Sequence, residues 1–170
     1  MEKNMSDHPV PRCLRSFGGL CLLVTSLTAA AQIVAVDPDW QESEAPAPPQ
    51  FSRDKLLALE MPPYVSLQFG IDPATLSITA DGIVRYVVVA SNAGGSSNAF
   101  YEGIRCATGE VKTYARANSA GHWTVVKEAP WRGLKANQPS KHAIAFARQA
   151  ACEGATTART AADIVRALKK

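Results

Sequence analysis

The chain has 170 residues, 46% of them hydrophobic and 19% charged, with a formal net charge of +3. That length allows one domain with extensions, and the composition is that of a soluble globular protein rather than a disordered or fibrous one. The basic excess is mild and its Lys and Arg residues are scattered. This argues against nucleic acid as a partner, because a polyanion is normally met by clustered basic side chains.

The first thirty residues read as a leader. Lys3, Arg12 and Arg15 form a basic lead-in, FGGLCLLVTSLT (17–28) is apolar but too short to cross a bilayer, and Ala29, Ala30 and Ala31 supply small residues before Gln32. That order is a secretory signal peptide (1–31) cleaved between Ala31 and Gln32. A buried N-terminal helix is the competing reading, but it has no need of a basic lead-in and a small-residue exit together. Leu20 precedes Cys21 where a lipid-anchor site wants a small residue, and no later stretch is apolar enough to span a membrane. Cleavage removes Cys13 and Cys21 and leaves Cys106 and Cys152 in an oxidising compartment, which predicts a disulfide.

DPDWQESEAPAPPQ (37–50) is acidic and proline-rich with almost no apolar residue beyond Trp40, so residues 32–50 are expected to be an extended linker outside the core. SRDKLLALE (52–60) predicts a short helix capped by Ser52, with Leu56, Leu57 and Leu59 as its apolar stripe and Pro62-Pro63 as its stop. From Tyr64 the period becomes two. VSLQFG (65–70) and TLSIT (75–79) are short strands, and Asp81-Gly82 is a hairpin signal leading into IVRYVVVAS (83–91). That run is apolar on both parities and is expected to be a central strand covered on both faces.

NAGGSS (92–97) is a turn, and NAFYEGIRC (98–106) is the next strand, with Phe100, Glu102, Ile104 and Cys106 on one face. EVKTYAR (110–116) and HWTVV (122–126) continue the series. SKHAIAFARQAAC (140–152) has Ala143, Phe146, Ala147 and Ala150 at helical spacing with Ser140 as N-cap, and TAADIVRALKK (160–170) predicts a last helix bearing Ile164, Val165 and Leu168. The expected fold is α+β: a small antiparallel sheet of about five strands packed against a C-terminal helix, with an extended N-terminal tether. The domain is expected over 51–152, with 153–170 as a tail. Cys106 ends a strand on its core-facing parity and Cys152 ends the helix that should lie on that face, so the pair would staple helix to sheet; two separately buried thiols are the alternative.

RYVVVASNAGGSSNAFYEGIRCATGEVKTYA (85–115), then GHWTVVKEAPWRGL (121–134) and a helix ending in cysteine, resembles the CNP1-like family, called after cryptic neisserial protein 1. The acidic, proline-rich lead-in fits as well, and the resemblance covers residues 37–152. FYEGIRCATGEVKTYA is its specific part, while FARQAAC departs from the more aromatic pattern expected before that cysteine. The resemblance implies a small exported protein of Gram-negative, largely betaproteobacterial, cells, and it brings no catalytic residues to carry over.

The residues themselves offer four kinds of chemistry. His122 and His142 lie on different elements, and without a Cys-x-x-Cys or His-Glu-x-x-His spacing neither a metal nor another cofactor is expected. Ser52-Arg53-Asp54-Lys55 matches Ser-x-x-Lys, and Ser96-Ser97-Asn98 echoes the second motif of penicillin-recognising enzymes. The third motif is absent, since Lys112-Thr113 is followed by Tyr114, and capping is a sufficient role for Ser52. Cys106 could act as a nucleophile beside His122 or His142 only if it escaped oxidation. Glu102 faces the core, where a carboxylate must neutralise or find a cation. Arg85, Lys112 and Arg116 on neighbouring strands are its expected partners, which makes it a structural carboxylate before a catalytic one.

Trp40, Trp123 and Trp131 with Tyr64, Tyr86, Tyr101 and Tyr114 would either pack the domain or form a surface for carbohydrate or peptide. Together these readings favour a non-catalytic periplasmic module acting through contacts with an envelope protein or glycan. The alternative is a periplasmic hydrolase using Ser52/Lys55 or Glu102, which requires those side chains to converge in one pocket. The leader predicts a mature N-terminus at Gln32; mass spectrometry of the exported protein is expected to show residues 1–31 removed, and their retention would refute it.

Overall fold

The longest apolar run organises the fold. In the computed structural model, residues 37–136 and 141–170 are described; the expected leader, the Ala31/Gln32 cleavage position and the expected cap Ser140 lie outside them. Strand β4 (Ile83–Ser91) stands inside an antiparallel sheet that also contains β1 (Leu57–Ala58), β2 (Gln68–Ile71), β3 (Ser77–Ile78), β5 (Ser97–Arg105), β6 (Glu110–Ala117), β7 (Trp123–Val125) and β8 (Arg132–Gly133). The order is β1-β2-β4-β5-β6-β7, with β3 also on β4 and β8 on β6. This is more than the five strands expected. The strands not expected, β1 and β8, are two-residue pairings, too short to show an alternation in sequence, while β3 falls within the expected TLSIT strand.

Both parities of β4 are buried, as its composition predicts. Val84, Tyr86 and Val88 enter one core, and Val87 and Val89 enter another. Strands β4 and β5 pair without interruption from Ile83↔Arg105 to Ser91↔Ser97. Between β5 and β6 the register shifts: Tyr101 opposes Ala115 but Glu102 opposes Thr113. This bulge leaves Tyr114 as the extra residue, so Tyr114 and Ala115 both pack into the second core, while Thr113 stays with Glu102.

The first core is closed by helices. Helix α1 (His142–Phe146) runs on through one π turn (Ala147–Ala151), and α2 (Ala161–Leu168) follows a small hairpin of β9 (Cys152–Glu153) and β10 (Thr156–Thr157). Thr160 caps α2 by accepting from the Asp163 N–H, and Ile164 is fully buried with Phe146, Ile104 and Tyr86. Residues 153–170, expected as a tail, are therefore a structural part of the core.

The second core is closed by the acidic, proline-rich stretch. It is extended, since its prolines hold φ and lack N–H donors for a helix or ladder, but it is a docked strap rather than a free tether. Trp40 Nε1 donates to the Asp81 carbonyl at 2.8 Å and Trp123 Nε1 to the Pro49 carbonyl at 3.0 Å. Arg85 donates to the carbonyls of Ser43 (2.6 Å) and Glu44 (3.2 Å). Glu42 accepts from Lys112 Nζ, Tyr114 OH and Trp131 Nε1 at 2.7, 2.8 and 3.1 Å. Gly103 makes room for this: a Cβ there would lie 2.6 Å from the Tyr114 hydroxyl and 2.8 Å from Ile83 Cγ2.

The helix expected over 52–60 does not form. Ser52 Oγ accepts from the Asp54 N–H, giving one turn, and the chain then extends to pair Leu57 with Ile71. Leu56 packs into the second core and Leu59 into the first, which a strand achieves and a helix stripe does not. Strand pairing outweighs a weak local helix preference here.

Cys106 and Cys152 form a disulfide, with Cα atoms 5.7 Å apart and a sequence separation of 46. It joins β5 to the end of the α1 segment. Replacing both cysteines by alanine should lower stability by about 4 kcal/mol, the chain-entropy value for a loop of this length. Alkylation of unreduced, denatured protein, mapped by mass spectrometry, should leave both residues unlabelled; labelling at both would refute the staple.

Candidate functional site

A buried carboxylate and imidazole meet beneath a cleft on the helical face. Glu102 is 4% exposed. Its Oε1 accepts from Thr113 Oγ1 at 3.0 Å, and its Oε2 accepts from Tyr86 OH and His142 Nε2, both at 2.8 Å. An ionised carboxylate only accepts hydrogen bonds, so Nε2 is the His142 nitrogen that carries the proton in this contact. His142 opens α1, and its ring stacks on Phe69 at 5.0 Å and on Phe100 at 5.9 Å.

Burial alone would raise the Glu102 pKa. The neighbouring His142 and the hydroxyls of Tyr86 and Thr113 outweigh it, and the carboxyl titrates below its ordinary range. Tyr86 responds in the opposite sense: full burial, then the adjacent Glu102 charge, push its phenol well above the usual value. Tyr86 therefore remains a neutral donor at physiological pH.

Above this pair lies a cleft of about 320 Å³ bounded by β5, β6, residues 126–132 and the start of α1. Phe100, Val111 and Pro130 give it apolar walls, Glu102 and His142 are its buried groups, and Arg116 and Arg132 are its exposed ones.

The three cations expected beside Glu102 are not its partners. Arg85 and Lys112 lie on the opposite face, holding the strap. Arg116 is turned to the Glu102 side by the bulge and lines the cleft, but the carboxylate is satisfied by Tyr86, Thr113 and His142. Two signals in the sequence point to the true partners. Tyr86 is the direct cross-strand neighbour of Glu102 once the β4–β5 register is set, and His142 sits four residues before Phe146 on the buried stripe of α1.

The serine motif does not assemble with this pair. Ser52 Oγ is occupied by the Asp54 N–H, Lys55 is exposed, and Ser97 Oγ accepts from Arg53 Nε at 3.1 Å. Ser97 lies five residues along β5 from Glu102, roughly 17 Å, on the opposite parity. His122 is exposed in the turn before β7, its backbone N–H bonded to Asn118 Oδ1. Cys106 is bonded to Cys152. Among the described residues, no three His, Cys, Asp or Glu side chains gather as a metal site would require.

The aromatic residues mostly pack the molecule rather than forming one surface. Trp40 meets Trp131 edge-on, Trp123 meets Phe51, Tyr101 meets Tyr114 and Tyr86 meets Phe146. Tyr64 alone of the seven stands well out, 76% exposed.

Fold and site define an α+β domain whose main antiparallel sheet is covered by helices on one face and a strap on the other, with a small cleft over a carboxylate–imidazole pair. The family model of the CNP1-like family matches residues 35–169, and the chain belongs to that family. The match takes in the strap and, beyond the 37–152 of the sequence resemblance, α2 as well. No curated protein and no solved structure matches the chain. Among the described residues no helix is long and apolar enough to cross a membrane.

Glu102→Gln removes the charge while keeping the shape, and should cost on the order of 1–3 kcal/mol. Because the folded carboxyl titrates low, its contribution is present above the unfolded value of about 4.3 and is lost as pH falls through the lower folded value. Denaturant titrations across this range should therefore show the difference between wild type and Glu102→Gln shrinking in acid. A constant difference would refute the linkage.

Proposed function

We propose that this chain is an exported protein of the Gram-negative envelope that resides in the periplasm and acts by binding rather than by catalysis. The leader residues and the Cys106–Cys152 disulfide support export to an oxidising compartment. The observation that carries the binding reading is the state of the groups around the cleft. Both oxygens of Glu102 are engaged by internal donors, and the Cys106 thiol is consumed by Cys152, while the cleft above remains open to solvent through its arginines. A carboxylate saturated in this way fixes a wall; it is poorly placed to take a proton from a substrate.

One observation favours the hydrolase alternative through Glu102: a carboxylate holding a histidine is also the way an acid–base imidazole is oriented. The Ser52/Lys55 version lacks even that, since its side chains do not meet the pair. The two readings separate in one set of assays. Hydrolysis of ester, amide and glycoside probes should not exceed the buffer rate, and capture of envelope components should survive Ser52→Ala but fail in Ala129→Trp, which fills the cleft. Turnover abolished by Glu102→Gln or Ser52→Ala would overturn the binding reading.

A further inference from the structure

Resting on the binding reading above, we propose that the cleft over Glu102 and His142 takes a small organic anion: a carboxylate attached to an apolar body. Three features converge on this class. The first is size. At about 320 Å³ the cleft is at the small end of ligand pockets, which suits one small molecule rather than a polymer chain.

The second is charge. Four other cations of the sheet and its strap have partners: Arg85 holds the strap carbonyls, Arg53 bonds Ser97 and the Ser119 carbonyl, Lys112 pairs with Glu42, and Arg105 lies over the Trp40 ring at 3.6 Å. Arg116 and Arg132 are both exposed at this cleft and make no hydrogen bond or ion pair with the described residues. A guanidinium presents paired donors that match a carboxylate. The one acidic group in the cleft is outnumbered by these two guanidiniums, and both oxygens of Glu102 are turned to the internal donors Tyr86, Thr113 and His142. A cationic ligand would meet two arginines at the entrance.

The third is the wall. Phe100, Val111, Val126 and Pro130 offer surface that an inorganic anion would leave uncovered. An apolar body attached to the carboxylate buries it.

The test is a titration of the purified, oxidised protein with benzoate and with hexanoate, followed by amide ¹H–¹⁵N spectra, with benzamide and inorganic phosphate as controls. Saturable shifts centred on Phe100, Thr113 and Arg116 are expected with both carboxylates at millimolar concentration, and much weaker ones with the controls. Arg116→Gln and Arg132→Gln should each weaken benzoate about tenfold with the remaining spectrum unchanged. Should either variant lose its dispersed spectrum, Arg116→Lys and Arg132→Lys serve instead, keeping the charge but not the paired donors, and are still expected to bind more weakly. Benzamide or phosphate binding as well as benzoate, or no saturable shift, overturns the proposal. New ligand resonances appearing with time would leave the site standing and refute the non-catalytic reading; bound ligand that stays unchanged supports both.

Discussion

A strand that is apolar on both parities cannot be left with one face in water, and the rest of this molecule follows from that. Each fully buried Val or Ile of β4 contributes about 1.5–3 kcal/mol relative to exposure, so both faces must be covered by something within the same chain. The C-terminal helices cover one face with Phe146, Ala147 and Ile164. On the other, the covering element is a segment with few apolar side chains, and it works by different means. Its carbonyls and Glu42 receive donors from Arg85, Trp123, Lys112, Tyr114 and Trp131, side chains that the sheet presents outward.

The relative weight of those contacts matters. The Lys112–Glu42 pair is about one-fifth exposed on each side, and accessible ion pairs contribute on the order of 0–1 kcal/mol. The bonds to strap carbonyls are worth a similar amount each, but there are several, and those from Arg85 give partners to a guanidinium that is itself buried. The strap is thus held by distributed hydrogen bonds and by the Trp40, Trp123 and Phe51 rings more than by its acidic character. Glu102 obeys a stricter version of the same rule. Burial of an ionised carboxylate costs several kcal/mol, and three donors on two oxygens offset it without an arginine or lysine.

That arrangement also shapes the cleft. The α1 segment is fixed near its start by the His142–Glu102 contact and at its end by the Cys106–Cys152 bond. Both attach it to β5, Glu102 and Cys106 being four residues apart on one face of the chain. A wall pinned at two points is preorganised, which reduces the ordering cost that binding would otherwise incur. The bulge at Tyr101/Glu102 contributes in turn, because it sends Tyr114 to the strap and places Arg116 at the cleft.

Sequence alone determined what depends on local pattern. The two-sided burial of β4, the Asp81-Gly82 turn, the core-facing parity of Glu102 and Cys106, both C-terminal helices and the Cys106–Cys152 pairing all follow from periodicity, turn chemistry and the placing of these two cysteines at the ends of facing elements. Family membership was legible in FYEGIRCATGEVKTYA for the same reason. Tertiary structure decided what depends on register and on partners distant in the chain. Leu56 and Leu59 look like a helix stripe until pairing with β2 sends them to opposite cores. Residues 37–50 look like a linker because hydrogen bonds to carbonyls leave no trace in composition. Glu102 found Tyr86, Thr113 and His142 instead of a strand cation because a bulge and a helix 40 residues away set its surroundings, and neither is encoded in the alternation of its own strand.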